Sequence, residues 1–210
     1  MRPRIVALSS PPGGGKSTFA AALANRLGAA LVEYDAYDRM TDMEPSAVRE
    51  WLAAGGPYDR VIVPELVADL AALSEGRPIP DRMKGGQLQP RPLVVFETPF
   101  GRAHAATAAF IDTSVFIDTP ADEALARKLR QFVADQVADP GPGGARRFVG
   151  WLDSYLSHYL AIVRPAVAMQ RQRVLPLADL VIAPGTALED GVEQIVAFLV
   201  RRAAGSRAAP

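Results

Sequence analysis

The stretch RIVALSSPPGGGKSTFAAALANRL, residues 4 to 27, constrains the fold more than any other part of the chain. RIVALS reads as a strand, PPGGG as a turn that tolerates unusual backbone dihedrals, and KSTFAAALANRL as a helix with Ala, Leu and Phe at helical spacing and no internal breaker. In that context the backbone N–H groups of Gly13, Gly14, Gly15, Lys16 and Ser17 converge on an anion at the positive end of the helix. The order of residues resembles G-x-x-x-x-G-K-[ST], in which the lysine reaches the terminal phosphates and the hydroxyl completes a Mg²⁺ shell. Ser10 stands where the first glycine is expected. That position only makes the turn out of the strand, which a serine with ordinary φ can do. The competing reading is a glycine-rich turn capped by Ser17, and the flanking strand and helix favour the phosphate cradle. Pro12, Gly13, Gly14, Gly15, Lys16, Ser17 and Thr18 are therefore the candidate nucleotide-binding residues.

The remainder of the composition removes whole classes of function. The chain has 210 residues, 49% hydrophobic and 22% charged, enough to bury the core of one domain. Lys+Arg and Asp+Glu number 23 each, so no overall positive field draws it to nucleic acid or an anionic membrane. Without cysteine and with two histidines there is no disulfide framework, no thiolate chemistry and no histidine-rich metal site. No apolar run approaches a membrane span, and a cytoplasmic protein is expected.

Short β-rich runs alternate with helical ones, the pattern of a parallel sheet covered on both faces. Strands are expected at Arg4–Ser9, Leu31–Glu33, Leu93–Glu97, Val115–Asp118 and Asp179–Ala183. Helices are expected at Lys16–Leu27, Pro45–Ala54, Pro64–Ser74, Ala103–Ile111, Ala121–Ala138, Phe148–Arg171 and Leu188–Arg202. One domain spans 1–203, with a long excursion over 34–92 that suits specificity, a polar Gly/Pro-rich interruption at 138–147, and a frayed tail from 204.

A phosphate cradle alone does not choose among kinases, switch GTPases and ATPase motors. Guanine selection resembles an N-K-x-D loop, and Asn25, in the first helix, is the sole asparagine. Motors need modules for which the chain leaves little room. Several further segments, LVEYDAYDRM, YDRVIVPELVADLAALSEGRPI, PLVVFETPFG, SVFIDTPADEALARKLRQF and YLAIVRPAVAMQRQRVLPLADLVIAP, occur in the same order as in the uridine kinase and phosphoribulokinase-like group of P-loop small-molecule kinases, which the chain resembles over nearly its whole length. The resemblance implies an α/β three-layer sandwich of the nucleotide-kinase type. Its parallel sheet would have five strands in the order 2-3-1-4-5, the site at their carboxyl ends and a helical lid near 127–147. It also implies ATP and Mg²⁺, and a nucleoside or similar hydroxylated small molecule as acceptor.

Phosphoryl transfer needs cations, Mg²⁺ and one carboxylate near the attacking hydroxyl. Asp35, just past the second strand, is the candidate base, with Asp38 its local rival; both also suit a turn cap. Lys16 and Arg127 are the other catalytic candidates, and Ser17 and Glu97 the metal candidates. Arg127, Lys128 and Arg130 lie on the helix leading to the lid, as phosphate contacts or as a solvated basic face. Arg146 and Arg147 are either a closing pair or an exposed one. By the resemblance, Asp59 would accept sugar hydroxyls, with Tyr58 beside it. IPDRMKGGQLQP at 79–90 lacks the aromatic and histidine of that family's base contact, leaving Asp81 and Arg82 for some other polar acceptor. His158 reads first as a structural histidine, and Arg164 as a site or packing residue. An ATP-binding regulator without an acceptor, and a nucleoside monophosphate kinase, are the alternative functions.

Overall fold

In the computed structural model, which describes residues 2–37, 44–139, 141 and 143–207, five parallel strands form the central sheet. β1 (Arg4–Ser9) leads through the glycine loop into α1 (Lys16–Leu27), then β2 (Ala30–Glu33). A 3₁₀ turn at Tyr34–Ala36 opens the excursion, which continues with α2 (Pro45–Ala53), a second 3₁₀ turn at Tyr58–Arg60 and α3 (Pro64–Ser74). It closes with a two-stranded hairpin, β3 (Ile79–Pro80) and β4 (Gln87–Leu88). The main sheet resumes with β5 (Leu93–Glu97), and α4 (Ala105–Ala108) precedes β6 (Ile111–Ile117). Then come α5 (Ala121–Ala138), α6 (Gly144–His158), a π-helical segment at Tyr159–Val163 and α7 (Arg164–Val174). β7 (Leu180–Ile182) and α8 (Leu188–Arg207) end the fold. The order β2-β5-β1-β6-β7 is the expected 2-3-1-4-5 once the hairpin is set aside.

Period-2 alternation along the strands builds two cores. Ile5, Ala7, Val94, Phe96 and Phe116 face α3 and the excursion, packing with Leu66, Leu70 and Leu73. Val6, Leu8, Val95, Val115 and Ile117 face α1 and α8, packing with Phe19, Leu23 and Ile195. Two consecutive register pairs, Leu8 with Glu97 and Glu33 with Glu97, bring the carboxyl ends of β1, β5 and β2 level.

Several boundaries correct the expectation. β6 starts at Ile111 rather than Val115, through the polar run Asp112, Thr113 and Ser114. The ladder to β1 is irregular between Ile5 and Val6, and the Asp112 carboxylate accepts the Ile5 N–H there at 2.8 Å, so a polar residue serves the strand. The helix expected over Ala103–Ile111 is a 3₁₀ turn at Gly101–Ala103 and the single turn α4. His104 interrupts it, its buried ring held between the Thr107 hydroxyl and the Val61 carbonyl. The expected helix Phe148–Arg171 begins earlier, at Gly144, and contains the π segment, while α8 runs beyond Arg202 to Arg207.

Two glycines in α8 differ in sign. A Cβ at Gly191 would lie 2.5 Å from Phe19 Cε1, whereas one at Gly205 meets nothing within 4 Å. Gly191→Ala is expected to lower unfolding free energy by about 1–3 kcal/mol through overpacking against α1. Gly205→Ala should raise it, by up to about 1 kcal/mol, through helix propensity. Urea denaturation of the two variants checks both signs.

Candidate active site

One cleft of about 1490 Å³ runs along the carboxyl edge of the sheet. The glycine loop forms one wall. Gly13 and Gly15 have φ of +80° and +90°, conformations that side chains disfavour. A Cβ on Gly13 would also run into the carbonyl oxygen of Ala124, because the first turn of α5 packs directly on the loop. Gly14 is equally confined, since its Cβ would lie 2.8 Å from the Ser10 hydroxyl. Ser10 thus closes the back of the loop, with its own hydroxyl bonded to the Pro11 carbonyl. Pro12, Gly13, Gly15, Lys16, Ser17 and Thr18 all line the cleft, and Gly14 is buried behind them with its carbonyl bound by the Thr119 hydroxyl at 2.9 Å.

Lys16 forms an ion pair with Glu97, which is 1% exposed at the end of β5. Glu97 Oε1 faces the ammonium, and Oε2 has no hydrogen-bond partner among the described residues. A buried carboxylate oxygen with free lone pairs is a donor of the kind that suits Mg²⁺ or one of its waters, and the Ser17 hydroxyl lines the cleft. Glu97 and Ser17 would hold the ion there, and when bound it supplies positive charge against a polyphosphate.

α7 fixes this edge with two successive side chains. Gln170, 6% exposed, donates from Nε2 to the Ser10 carbonyl at 3.1 Å and the Pro99 carbonyl at 2.7 Å, joining the ends of β1 and β5. Arg171 binds Asp118, at the end of β6, through two bonds of 2.9 Å. Neither Gln170 nor Thr119 was singled out by sequence reasoning. Thr119 follows a strand end, and Gln170 is a polar residue on the buried side of a helix; those are the signals that could have found them.

The expected site residues divide into two groups. Asp35, Tyr58, Arg127, Lys128 and His158 line the cleft. Arg127 pairs with Glu123 and keeps its guanidinium over the loop, 3.7 Å from where a Gly15 Cβ would stand. Lys128 lies over the Phe132 ring and donates to Gln131. Tyr58 is buried, and burial pushes its hydroxyl up to about 12 against the opposing charge of Arg173, so it stays neutral.

The second group lies elsewhere. Asp59 is exposed and accepts the Ala105 N–H at 2.8 Å, satisfying a donor at the start of α4. Arg82 pairs with Asp69 at 3.0 Å and stacks over Tyr37, lining a separate pocket of about 240 Å³ between α1, β2 and the hairpin. Tyr37 donates to the same Asp69 oxygen at 2.8 Å, and burial together with that carboxylate raises its phenol well above the ordinary range. These three residues fasten the turn that carries Asp35 to α3 and the hairpin. Asp81 caps the hairpin turn through the N–H groups of Met83 and Lys84. Arg130, Arg146, Arg147 and Arg164 are exposed and do not line the cleft, and Asp38 lies outside the described residues. Trp51, Phe100 and Met169, not singled out from the sequence, line it as well.

No family model and no curated protein matches the sequence. Among solved structures, the chain is similar to a shikimate kinase from Acinetobacter baumannii in complex with shikimate, with a TM-score of 0.52 and 16% identity over 95% of this chain and 94% of that one. It is also similar to a structure described as a "Possible Uridine Kinase" from Bacillus stearothermophilus, with a TM-score of 0.51 and 14% identity over 87% and 90%. The likeness is one of fold. The chain has the P-loop NTPase architecture of the nucleotide-kinase type, a parallel sheet of five strands between helices.

Removing one partner of the ion pair at the cleft floor strands the other. Lys16→Met is expected to lower unfolding free energy by about 3 kcal/mol by leaving Glu97 as an uncompensated buried charge. The double variant Lys16→Met/Glu97→Gln should recover most of that loss. Chemical denaturation of the two variants against the parent measures the coupling.

Proposed function

We propose that this chain is an ATP-dependent phosphotransferase that moves the γ-phosphoryl group to a hydroxyl of a small molecule. The observation that carries the reading is that the glycine loop with Lys16 and the strand-end carboxylate Asp35 line the same cleft. An anion cradle beside a carboxylate is the arrangement phosphoryl transfer to an alcohol requires, because catalysis there is positioning and charge stabilisation.

In this reading the loop N–H groups and Lys16 grip the β- and γ-phosphates, so Lys16 exchanges Glu97 for phosphate oxygens when nucleotide binds. Arg127, poised over the loop on α5, adds positive charge where the transferring group carries its negative charge. Asp35 accepts the proton of the acceptor hydroxyl as its oxygen bonds to the γ-phosphorus. The bond from that phosphorus to the bridging oxygen of the β-phosphate breaks, giving a phosphate ester and ADP. Gln170, Arg171 and Thr119 do no chemistry; they hold the loop and the strand ends in register for the in-line geometry.

The fold likeness to two kinases supports the class, and the cationic loop end of the cleft supports a polyphosphate donor. Asp35→Asn is expected to lower kcat by roughly 10²–10⁴-fold with ATP affinity little changed. Coupled ADP release with a panel of alcohols, alongside calorimetric titration of ATP and magnesium, checks it. Undiminished turnover in Asp35→Asn removes Asp35 as the base, and absence of nucleotide binding by the parent protein removes the function.

A further inference from the structure

The cleft is chemically asymmetric. Its loop end carries Lys16, Arg127 and Lys128, while the end beyond Asp35 is walled by Tyr34, Trp51, Tyr58, Phe100 and Met169. The rings form a continuous chain: Tyr34 to Phe100 at 5.1 Å between centroids, Phe100 to Tyr58 at 4.9 Å, and Tyr58 to Trp51 at 5.9 Å. Met169 completes it from α7, because a Cβ on Gly56 would strike the Met169 thioether and come within 3.2 Å of the Trp51 ring.

Among the described residues, no lysine or arginine lines this end. The Arg173 guanidinium stands 5.6 Å from the Tyr58 ring and donates to the Gly56 carbonyl at 2.7 Å, bracing the wall rather than lining the cleft. Carboxylates are equally sparse: among the described residues Asp35 is the one acidic side chain lining this end, and Asp59 is engaged by the Ala105 N–H. Trp51 is half-buried and its indole N–H is taken up by the Pro57 carbonyl at 3.1 Å, so what it presents is ring surface.

A phosphorylated or carboxylated acceptor would bring its charge against rings and the Asp35 carboxylate, with no cation among the described residues lining this end to meet it. A polyol would have to bury several hydroxyls where, among the described residues, this end offers one carboxylate and the phenols of Tyr34 and Tyr58. A flat apolar or heteroaromatic body loses little there and gains contact with Trp51 and Met169.

Resting on the phosphotransfer reading of this cleft, we infer that the acceptor is an uncharged alcohol whose reactive hydroxyl hangs from a planar ring, with no vicinal diol needed for its recognition. Asp35 takes the hydroxyl proton, and the aromatic wall holds the ring.

The test has two independent readouts. In Trp151→Phe protein, Trp51 is the sole tryptophan, so its fluorescence reports acceptor binding directly. The probes are hydroxymethyl-pyridines and hydroxymethyl-pyrimidines, ribonucleosides with their 2′,3′-dideoxy analogues, hexoses, and phosphorylated and carboxylated alcohols. ADP release is followed with the same compounds in the parent protein and in Trp51→Ala. Ring alcohols are expected to quench Trp51 and to be turned over, and removing the diol from a nucleoside should change kcat/KM by no more than about threefold. Trp51→Ala should raise the acceptor KM by roughly 10–100-fold and leave the KM for ATP unchanged. A site that reads the diol would instead reject the dideoxy analogue by roughly 10⁴-fold, which overturns the inference. Preference for hexoses or anionic alcohols, indifference of turnover to Trp51→Ala, or neither quenching nor turnover with every ring alcohol overturns it as well. Quenching by ring alcohols without ADP release upholds the aromatic wall as a binding site for a ring alcohol and removes the phosphotransfer reading, so the two fail separately.

Discussion

Parallel strands all end on one edge, and that constraint organises the cleft of this chain. Register brings Leu8, Glu33 and Glu97 level across β1, β2 and β5, so the residues just beyond them, the glycine loop and Asp35, must emerge side by side. The polar groups at this edge are then satisfied by one another. Lys16 and Glu97 neutralise each other at the floor, and Gln170 from α7 takes up the Ser10 and Pro99 carbonyls. An edge left without these partners would bury unpaired charge and carbonyl groups at a cost comparable to much of a domain's net stability.

The close approach of α5 to the loop adds a second constraint. With the Ala124 carbonyl filling the space where a Gly13 side chain would go, the loop and the helix bearing Arg127 are packed in direct contact. Thr119 reinforces this by binding the Gly14 carbonyl from the turn that precedes α5. The loop is therefore held from the end of β6 as well as from its own strand and helix, and it is braced internally by the Gly14 N–H, which donates to the Pro11 carbonyl at 2.8 Å.

The sequence made β1, α1, α3, β5 and α5 legible to the residue, because each has unbroken period-2 or 3.6 patterning between clear stop signals. It hid the first half of β6, where Asp112 replaces a ladder bond, and the β3–β4 hairpin, whose two-residue strands are too short to show a period. The glycine loop and Asp35 could be read locally, since strand, turn and carboxylate are neighbours in the chain. The aromatic wall could not: Trp51, Phe100 and Met169 come from α2, the turn after β5 and α7, and only the fold puts them together. Asp59 and Arg82 carry the right chemistry in the right order, yet their charges are drawn to a helix start and to Asp69 instead of the cleft.

The π segment at Tyr159–Val163 joins α6 to α7 with wider turns than an α-helix has. It lets adjacent residues, Ile162 and Val163, both border the cleft, while Tyr159 and Ile162 remain buried. One supernumerary residue thereby sets the angular phase between two helices. Excising it would rotate α6, with its stacked Trp151 and Tyr155, by about 100° about the shared axis relative to Gln170 and Arg171. The orientation of α6 relative to α7 is thus encoded as an offset in helical winding, which length-preserving substitutions along the two helices leave intact and a single deletion erases.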